Sequence, residues 1–326
     1  MPAHRQALIF GVLYACAAGL MWGLVFVAPA MLAEYPATFL SVSRYLAFGL
    51  IALPLAWWDR HALRALSRAD WLEALKLSAV GNLLYYTFLA AAIQRAGGPL
   101  PTLIIGTLPV VIAITANLRR GSPEVRLPWR RLLPSLVLIA AGLACVNQVE
   151  MLQFTDHADL RRYATGALLA FGAVACWTWY PIRNGEWLRA HAERSPRVWA
   201  TAQGLATLPI AGLGFALFWA WSAWAGEGSF EMPLGPLPAR FVGLMLSLGL
   251  FASWLGTLCW NEASQRLPPA LAGQLIVFES LAALAYAFAW RGQAPHPVTL
   301  VGAALLVAGV VMALRSRAPT RQAEPT

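Results

Sequence analysis

Two ionisable side chains stand where an apolar chain tolerates charge least. Arg44 lies inside the apolar stretch Thr38–Trp58. Glu279 lies inside Ala270–Trp290, with no basic residue near it in sequence. A charge in a bilayer core costs several kcal/mol, so such a residue faces a partner, a water-filled cavity or a solute path. Glu279 falls about 11 residues beyond the turn at Pro268-Pro269, which is roughly 16 Å at ~1.5 Å per residue and near the middle of a ~30 Å core. Arg44 falls roughly 10 Å beyond the turn at Tyr35-Pro36 on the opposite side, so the two depths nearly coincide. Two readings follow: Arg44 and Glu279 pair directly or through water, or Arg44 snorkels outward while Glu279 is protonated and bonded to a backbone carbonyl. This is chemistry for holding charge rather than making bonds. His4, His61, His157, His191 and His296 are scattered through termini and connections. Cys16, Cys145, Cys176 and Cys259 lie in separate apolar runs, without metal or disulfide spacing. No Gly-rich loop precedes a Lys-Ser/Thr pair. No catalytic residue, metal ligand or cofactor is therefore expected, and an enzyme would need a clustered set that this sequence does not provide.

Four polar-aromatic faces accompany the two charges. At helical spacing, Asn82, Tyr85, Tyr86 and Leu89 share one face; Trp177, Tyr180 and Asn184 another; Trp254, Thr257, Asn261 and Ser264 a third; Gly19, Trp22 and Phe26 a fourth. A lipid-facing stripe would be Leu, Val and Phe without Asn or Thr, so these faces point inward. They suit an amphipathic solute, because rings attract an ammonium and amides and hydroxyls fix polar ends. Gln274 joins them as a cavity candidate. Asn82, Gln203, Asn261 and Gln274 serve equally well as hydrogen-bond links between helices. Trp57, Trp58, Trp71, Trp129, Trp187 and Trp290 stand near stretch ends and read as an interfacial belt. Gly302 and Gly309 share a small-residue face suited to packing, including packing against another subunit.

The elements that must position these residues are membrane helices. The sequence is 59% hydrophobic and 12% charged, with mean hydropathy +0.59, which leaves too little polar surface for a soluble protein of this length. Ten stretches long enough to cross a bilayer read as helices. They are Ala7–Leu32, Thr38–Trp58, Trp71–Gln94, Leu100–Leu118, Leu132–Asn147, Thr165–Pro181, Val198–Trp224, Ala239–Ser264, Ala270–Trp290 and Val298–Leu314. The first is long enough to span by itself, which weighs against reading Ala28-Pro29-Ala30 as a cleavage site. With a cytoplasmic N-terminus, the inner side holds 17 arginines in Arg5, Arg60–Arg68, Arg119–Arg131, Arg183–Arg197, Arg266 and Arg315–Arg321. The outer side holds five: Arg95, Arg161, Arg162, Arg240 and Arg291. That asymmetry places both termini in the cytoplasm. It also explains the basic pI of 9.9 without nucleic acid.

The stretch around Glu279 has a twin. Ala92–Pro109 and Ala263–Glu279 each run from an apolar helix through Gln-Arg and a Pro-rich turn into a new apolar helix. Met21-Trp22-Gly23 sits like Cys176-Trp177-Thr178, and Ser43–Ala47 like Ala202–Ala206. Two five-helix halves must lie in opposite orientation, since five is odd. The expected organisation is an all-α integral membrane protein of two inverted repeats, 1–147 and 165–314, with a connecting outer loop 148–164 and a cytoplasmic tail 315–326.

With Trp22-Gly23, Arg44, Ala90-Ala91-Ala92 and Pro109 in place, the chain resembles the drug/metabolite transporter superfamily over about Ala7 to Leu314. Within it, overall similarity and tryptophan richness resemble the bacterial aromatic amino acid exporters. One departure is Asn117-Leu118-Arg119-Arg120 and Arg291-Gly292-Gln293, where relatives often carry a glutamate. The resemblance implies a ten-helix secondary transporter of a bacterial inner membrane, with a substrate cavity between its halves. It would export amino acids, aromatic and other neutral ones, or similar metabolites, as a monomer or weak homodimer in lipid. A carrier of phosphorylated or sugar-linked solutes is the alternative. It would need more basic residues in its spans than Arg44 and Lys76.

Overall fold

The structure is a computed structural model. It describes residues 2–96, 99–118, 128–152, 160–225, 230–292 and 294–315. Expectations for Arg119, Arg120, Arg126, Gln293, the centre of the 148–164 connection and the tail beyond Arg315 lie outside these residues. Among the described residues every regular element is helical, as a chain must be where lipid offers no hydrogen bonds to the backbone.

The helices are α1 (Pro2–Met31), α2 (Ala37–Trp58), α3 (Arg60–Arg64), α4 (Arg68–Lys76), α5 (Tyr85–Ala96), α6 (Pro99–Gly106), α7 (Leu108–Leu118) and α8 (Trp129–Leu152). The second part of the chain adds α9 (Leu160–Ala190), α10 (Pro196–Ala225), α11 (Pro238–Ser247), α12 (Gly256–Arg266), α13 (Pro269–Leu275), α14 (Val277–Arg291) and α15 (Pro297–Arg315). Among the described residues seven helical stretches are long and apolar enough to cross a membrane: Gln6–Met31, Ala37–Trp58, Arg68–Ala96, Arg161–Ala190, Pro196–Ala225, Pro238–Arg266 and Pro269–Trp290. Leu108–Leu118, Leu132–Cys145 and Pro297–Ala313 are shorter apolar helices.

Two kinds of irregularity lie inside these helices. The π-helical segment Leu77–Leu84 joins α4 to α5, and a second, Leu248–Leu255, joins α11 to α12. A π-turn leaves some carbonyls without their usual helical donors, and such turns collect at functional sites. Here neighbouring helices supply donors: Ser41 Oγ donates to Leu83 O at 3.2 Å, and Trp22 Nε1 to Ala252 O at 2.9 Å. The other irregularity is a break. The expected stretch Leu100–Leu118 divides into α6 and α7 at Thr107, and Ala270–Trp290 divides into α13 and α14 at Ile276. Pro109 explains the first break, since it has no N–H to donate and crowds the carbonyl four residues back. Thr107 Oγ1 donates instead to Ile104 O at 2.6 Å. At the second, Ile276 N bonds Gly273 O and Glu279 N bonds Ile276 O, a tight turn that sets Glu279 in the first turn of α14.

The halves interleave. α1 packs along α14 and α12, α9 along α5 and α6, α2 on α10, α8 on α15, and α7 on α13. Apolar lipid gives helices no hydrophobic reason to associate, so close backbone approach carries the packing. A Cβ on Gly23 would stand 2.6 Å from Ala282 Cβ, and one on Gly19 would stand 2.9 Å from Glu279 N. α1 therefore touches the backbone that carries Glu279.

Three sequence expectations change. The stretch Thr165–Pro181 ends far short of α9, which runs on to Ala190. Arg183 and Asn184 ended the apolar run, yet their bonds to Glu73 and Asn261 hold that last part of the helix in the protein. α8 reaches Leu152 and α9 begins at Leu160, so helix covers both ends of the expected loop 148–164. Trp187 is not in an interfacial belt. It is 7% exposed, donates to Asp70 Oδ1 at 3.0 Å and stacks on Trp199 at 3.5 Å. Trp57, Trp58, Trp129 and Trp290 are exposed. The face of Gly309 is used within the chain: a Cβ there would meet Ile139 Cγ1 at 2.7 Å and Ser135 O at 2.9 Å.

Candidate functional site

A cavity with about 330 Å³ of empty space lies at the middle of the bundle. α1 contributes Trp22 and Val25, α2 Arg44 and Tyr45, and α9 Trp177. The first π-segment contributes Asn82, followed by Tyr85 at the start of α5. The second contributes Ala252 and Ser253, followed by Thr257 in α12. Glu279 closes the wall from the first turn of α14. The cavity is narrow, with room at any one point for little more than a water molecule.

Both intramembrane charges reach this cavity, each 4% exposed. Arg44 Nε donates to Ser253 Oγ at 3.2 Å. Its guanidinium carbon lies 4.7 Å from the Tyr86 ring centre and 4.8 Å from that of Tyr45, a favourable seat for a cation. Among the described residues no hydrogen bond or ion pair joins Arg44 to Glu279. Arg44 Nη1, Asn82 Nδ2, Trp177 Nε1, Tyr85 OH and Glu279 Oε2 are all buried without a hydrogen-bond partner in the protein. Leaving a buried polar atom unmatched costs about 1–3 kcal/mol, and native structures leave few of them. Five on one wall mark a surface built for polar contact with something other than protein. The set is unequal: three donors, one hydroxyl that can serve either way, and one carboxylate oxygen.

Aromatic rings set the shape. Trp177 lies between Tyr85, stacked at 4.6 Å, and Tyr180, stacked at 5.0 Å. Trp22 meets Trp177 edge-on at 5.1 Å, with its own N–H held by Ala252 O.

Other candidates from the sequence lie outside the cavity wall. Tyr86 sits beneath Arg44. Tyr180 donates to Gln203 Oε1 at 2.8 Å, and Trp254 donates to Thr201 Oγ1 at 3.2 Å. Asn261 accepts from Asn184 Nδ2 at 2.8 Å and donates to Pro196 O. Gln274 donates to Ser135 Oγ at 2.9 Å, tying α13 to α8. Sequence reasoning missed Tyr45 and Ser253. The face through Trp254 and Thr257 assumed α-helical spacing throughout. The π-segment turns Ser253 toward the cavity and Trp254 toward α10.

The two ends of the bundle are joined differently. At the arginine-rich end, acids before the first π-segment meet bases and an indole from α9 and α10. Arg183 pairs with Glu73, Arg197 with Asp59, and Trp187 with Asp70. Lys76 is exposed there and reaches no cavity. At the other end Tyr35 stacks on Phe241 at 4.9 Å, and Phe39 lies 4.9 Å from Phe218 and 5.0 Å from Phe230. Tyr35 OH donates to Leu234 O and accepts from Leu237 N, both at 2.8 Å. Burial raises the pKa of this phenol, more than the Leu237 N–H lowers it, so it keeps its proton to donate.

The family model for EamA-like transporters matches residues 9–148. Inner membrane protein YtfF of Escherichia coli K12 is 51% identical over 310 residues, covering 95% of this chain and 96% of YtfF. The threonine/homoserine exporter RhtA of the same strain is 28% identical over 211 residues, 63% of each chain. A probable terminal-alkyne amino-acid exporter of Streptantibioticus cattleyicolor is 32% identical over 142 residues, 37% of this chain and 46% of that one. A solved crystal structure shares the fold with a TM-score of 0.71 at 16% identity, covering 96% of this chain and 98% of the other. With relatives this similar along nearly its whole length, the chain belongs to the EamA-like transporter family of the drug/metabolite transporter superfamily, and it is a multi-pass membrane transporter.

Proposed function

We propose that this transporter exports neutral, zwitterionic amino acids, aromatic ones among them, across a bacterial inner membrane by alternating access. One observation carries the reading: Arg44 and Glu279 share one buried cavity without bonding each other, amid unpartnered donors. The carboxylate of a zwitterion matches Arg44 Nη1, Asn82 Nδ2 and Trp177 Nε1. Its ammonium matches Glu279 Oε2 and the aromatic faces. Arg44 is the one basic residue lining the cavity, too few for a phosphorylated solute, so the sugar-linked alternative has less support. Amino-acid export by relatives, named for RhtA and the alkyne exporter, agrees with this, as does the inner-membrane relative YtfF.

The proposed frame is ten spans in two inverted five-helix repeats, 1–147 and 165–314, with connection 148–164, tail 315–326 and both termini cytoplasmic. Three features support it. Each π-segment begins the same distance before its Gln-Arg turn, since 94 − 77 and 265 − 248 are both 17. Both stretches that follow those turns are broken, at Thr107 and Ile276. Exchanging each helix for its counterpart turns the α1 contacts with α12, α13 and α14 into the α9 contacts with α5, α6 and α7. Substrate sites lie between such repeats.

The test is exchange in liposomes holding the pure protein, with labelled phenylalanine, threonine and a sugar phosphate. Phenylalanine and threonine are expected to exchange. Arg44→Gln and Glu279→Gln should each cut the rate at least tenfold, and the double variant should be little worse than either, as coupled sites require. Exchange of the sugar phosphate alone would overturn the reading. Fully additive losses, or a fully active Glu279→Gln, would remove the shared role of the two charges.

A further inference from the structure

A second pocket, as narrow as the first, lies toward the arginine-rich end between α7, α9, α12 and α13. Its walls are mostly apolar, from Ile112, Pro181, Ile182 and Leu267. Two groups break that pattern. Arg189, in the last turn of α9, is the single charged residue lining it, half-buried and, among the described residues, without a hydrogen bond or ion pair to another side chain. Glu186, one turn back in α9, is the acid nearest to it in sequence. Gly185 leaves space for the guanidinium, since a Cβ there would stand 2.9 Å from Arg189 Nη1. The other group is Trp260. It is 2% exposed, and its Nε1 has no hydrogen-bond partner.

Trp260 also separates the two pockets. Its ring lies 5.3 Å from that of Trp22, which lines the central cavity, while Trp260 lines the second pocket. The two cavities are thus in line, with a pair of indoles between them. Trp22 is anchored to Ala252 O; Trp260 Nε1 has no such anchor.

We propose that this pocket is a loading subsite for the same amino acids on the cytoplasmic side. Arg189 and Trp260 Nε1 take the carboxylate, the apolar wall takes the side chain, and movement of Trp260 opens the way to the central cavity. This rests on the export reading above. Removing one charged partner of a buried hydrogen bond lowers affinity roughly tenfold or more.

The experiment is phenylalanine flux in oriented liposomes, with the concentration varied on one face at a time. Arg189→Gln should raise the half-saturating concentration about tenfold on the cytoplasmic face and leave the outer face unchanged, with maximal rate within about twofold. Arg189→Lys should recover part of that loss. Trp260→Phe keeps a ring but removes the donor, and should raise the same value several-fold. A merely structural role would lower the maximal rate from both faces. Unchanged cytoplasmic half-saturation in Arg189→Gln, with wild-type flux intact, would overturn the subsite. Loss of maximal rate alone, or equal effects on both faces, would do the same. A wild-type protein that carries no amino acid would instead overturn the export reading and the subsite with it.

Discussion

The arginine-rich end and the opposite end of this bundle are joined by the same helices, yet by different chemistry. At the first, acids of the chain's first half meet cationic and indole partners of its second: Asp59 with Arg197, Glu73 with Arg183, Asp70 with Trp187. Arg194 also reaches Ala65 O, and Gln265 reaches Arg194 O. At the second, Tyr35, Phe39, Phe218, Phe230 and Phe241 stack, and Gln94 bonds Tyr35 O and the Ala37 N–H. Polar pairs lose little when they separate into water, since water replaces the partner. Stacked rings re-expose apolar area at roughly 25 cal/mol per Å². The two ends therefore have unequal costs of opening.

The largest effect should come from Gly235, at the aromatic end. Its φ is +68°, and a Cβ would stand 2.4 Å from the Phe230 ring and 2.6 Å from that of Tyr35. Gly235→Ala should destabilise the protein by about 3 kcal/mol, from backbone strain and overpacking together, seen as a lowered thermal midpoint in detergent. Gly292→Ala is the control: φ is +63° with nothing within 4 Å, so about 1 kcal/mol is expected. Equal losses would mean that the ring cluster adds nothing.

Next comes the ionic end. Arg197→Ala leaves Asp59, whose side chain is 5% exposed, without its partner; Asp59→Ala leaves an arginine already 53% exposed. The arginine variant should be the more damaging, by about 1–3 kcal/mol. With the four natural cysteines replaced, alkylation of Ser264→Cys from the arginine-rich end should then quicken about tenfold or more. An equal or reversed order would contradict the role given to the buried acid. Tyr35→Phe should cost less, about 1–2 kcal/mol, because the stack survives and only the bonds to Leu234 O and Leu237 N are lost. Outer-face labelling of a cysteine in the central cavity should rise only a few-fold.

Salt should have the smallest effect. Raising ionic strength from 0.1 to 1 M shortens the screening length from about 10 to about 3 Å. Labelling from the arginine-rich end should quicken by less than threefold, and labelling from the aromatic end should not change. A large salt response at the aromatic end would break the comparison.

Much of this was legible in the chain. Arg44 and Glu279 stood out because charge in an apolar run is costly, and the matched depth derived from the two turns placed both at one cavity. Trp22, Asn82, Tyr85, Trp177 and Thr257 reach it too. Helical spacing separated inward faces from lipid-facing ones, but not cavity from core. Gln274 and Asn261 look alike in sequence, and both proved to be bonded to neighbouring helices. The pairs of Asp59, Asp70 and Glu73 left no local signal, because their partners lie more than a hundred residues away.

Sequence by itself determined that this is a helical membrane protein and where its charged and mixed faces fall. Those properties follow from transfer cost and from a fixed rise per residue, both local. Tertiary structure decided the rest: the π-segments that rotate Ser253 and Trp254 apart, the breaks at Thr107 and Ile276, and the length of α9. The two breaks are local turns whose geometry periodicity does not record, while the π-segments and the end of α9 depend on groups from distant helices that take up a freed backbone carbonyl or pair with a polar side chain. No periodicity within one stretch records which helix arrives to do so.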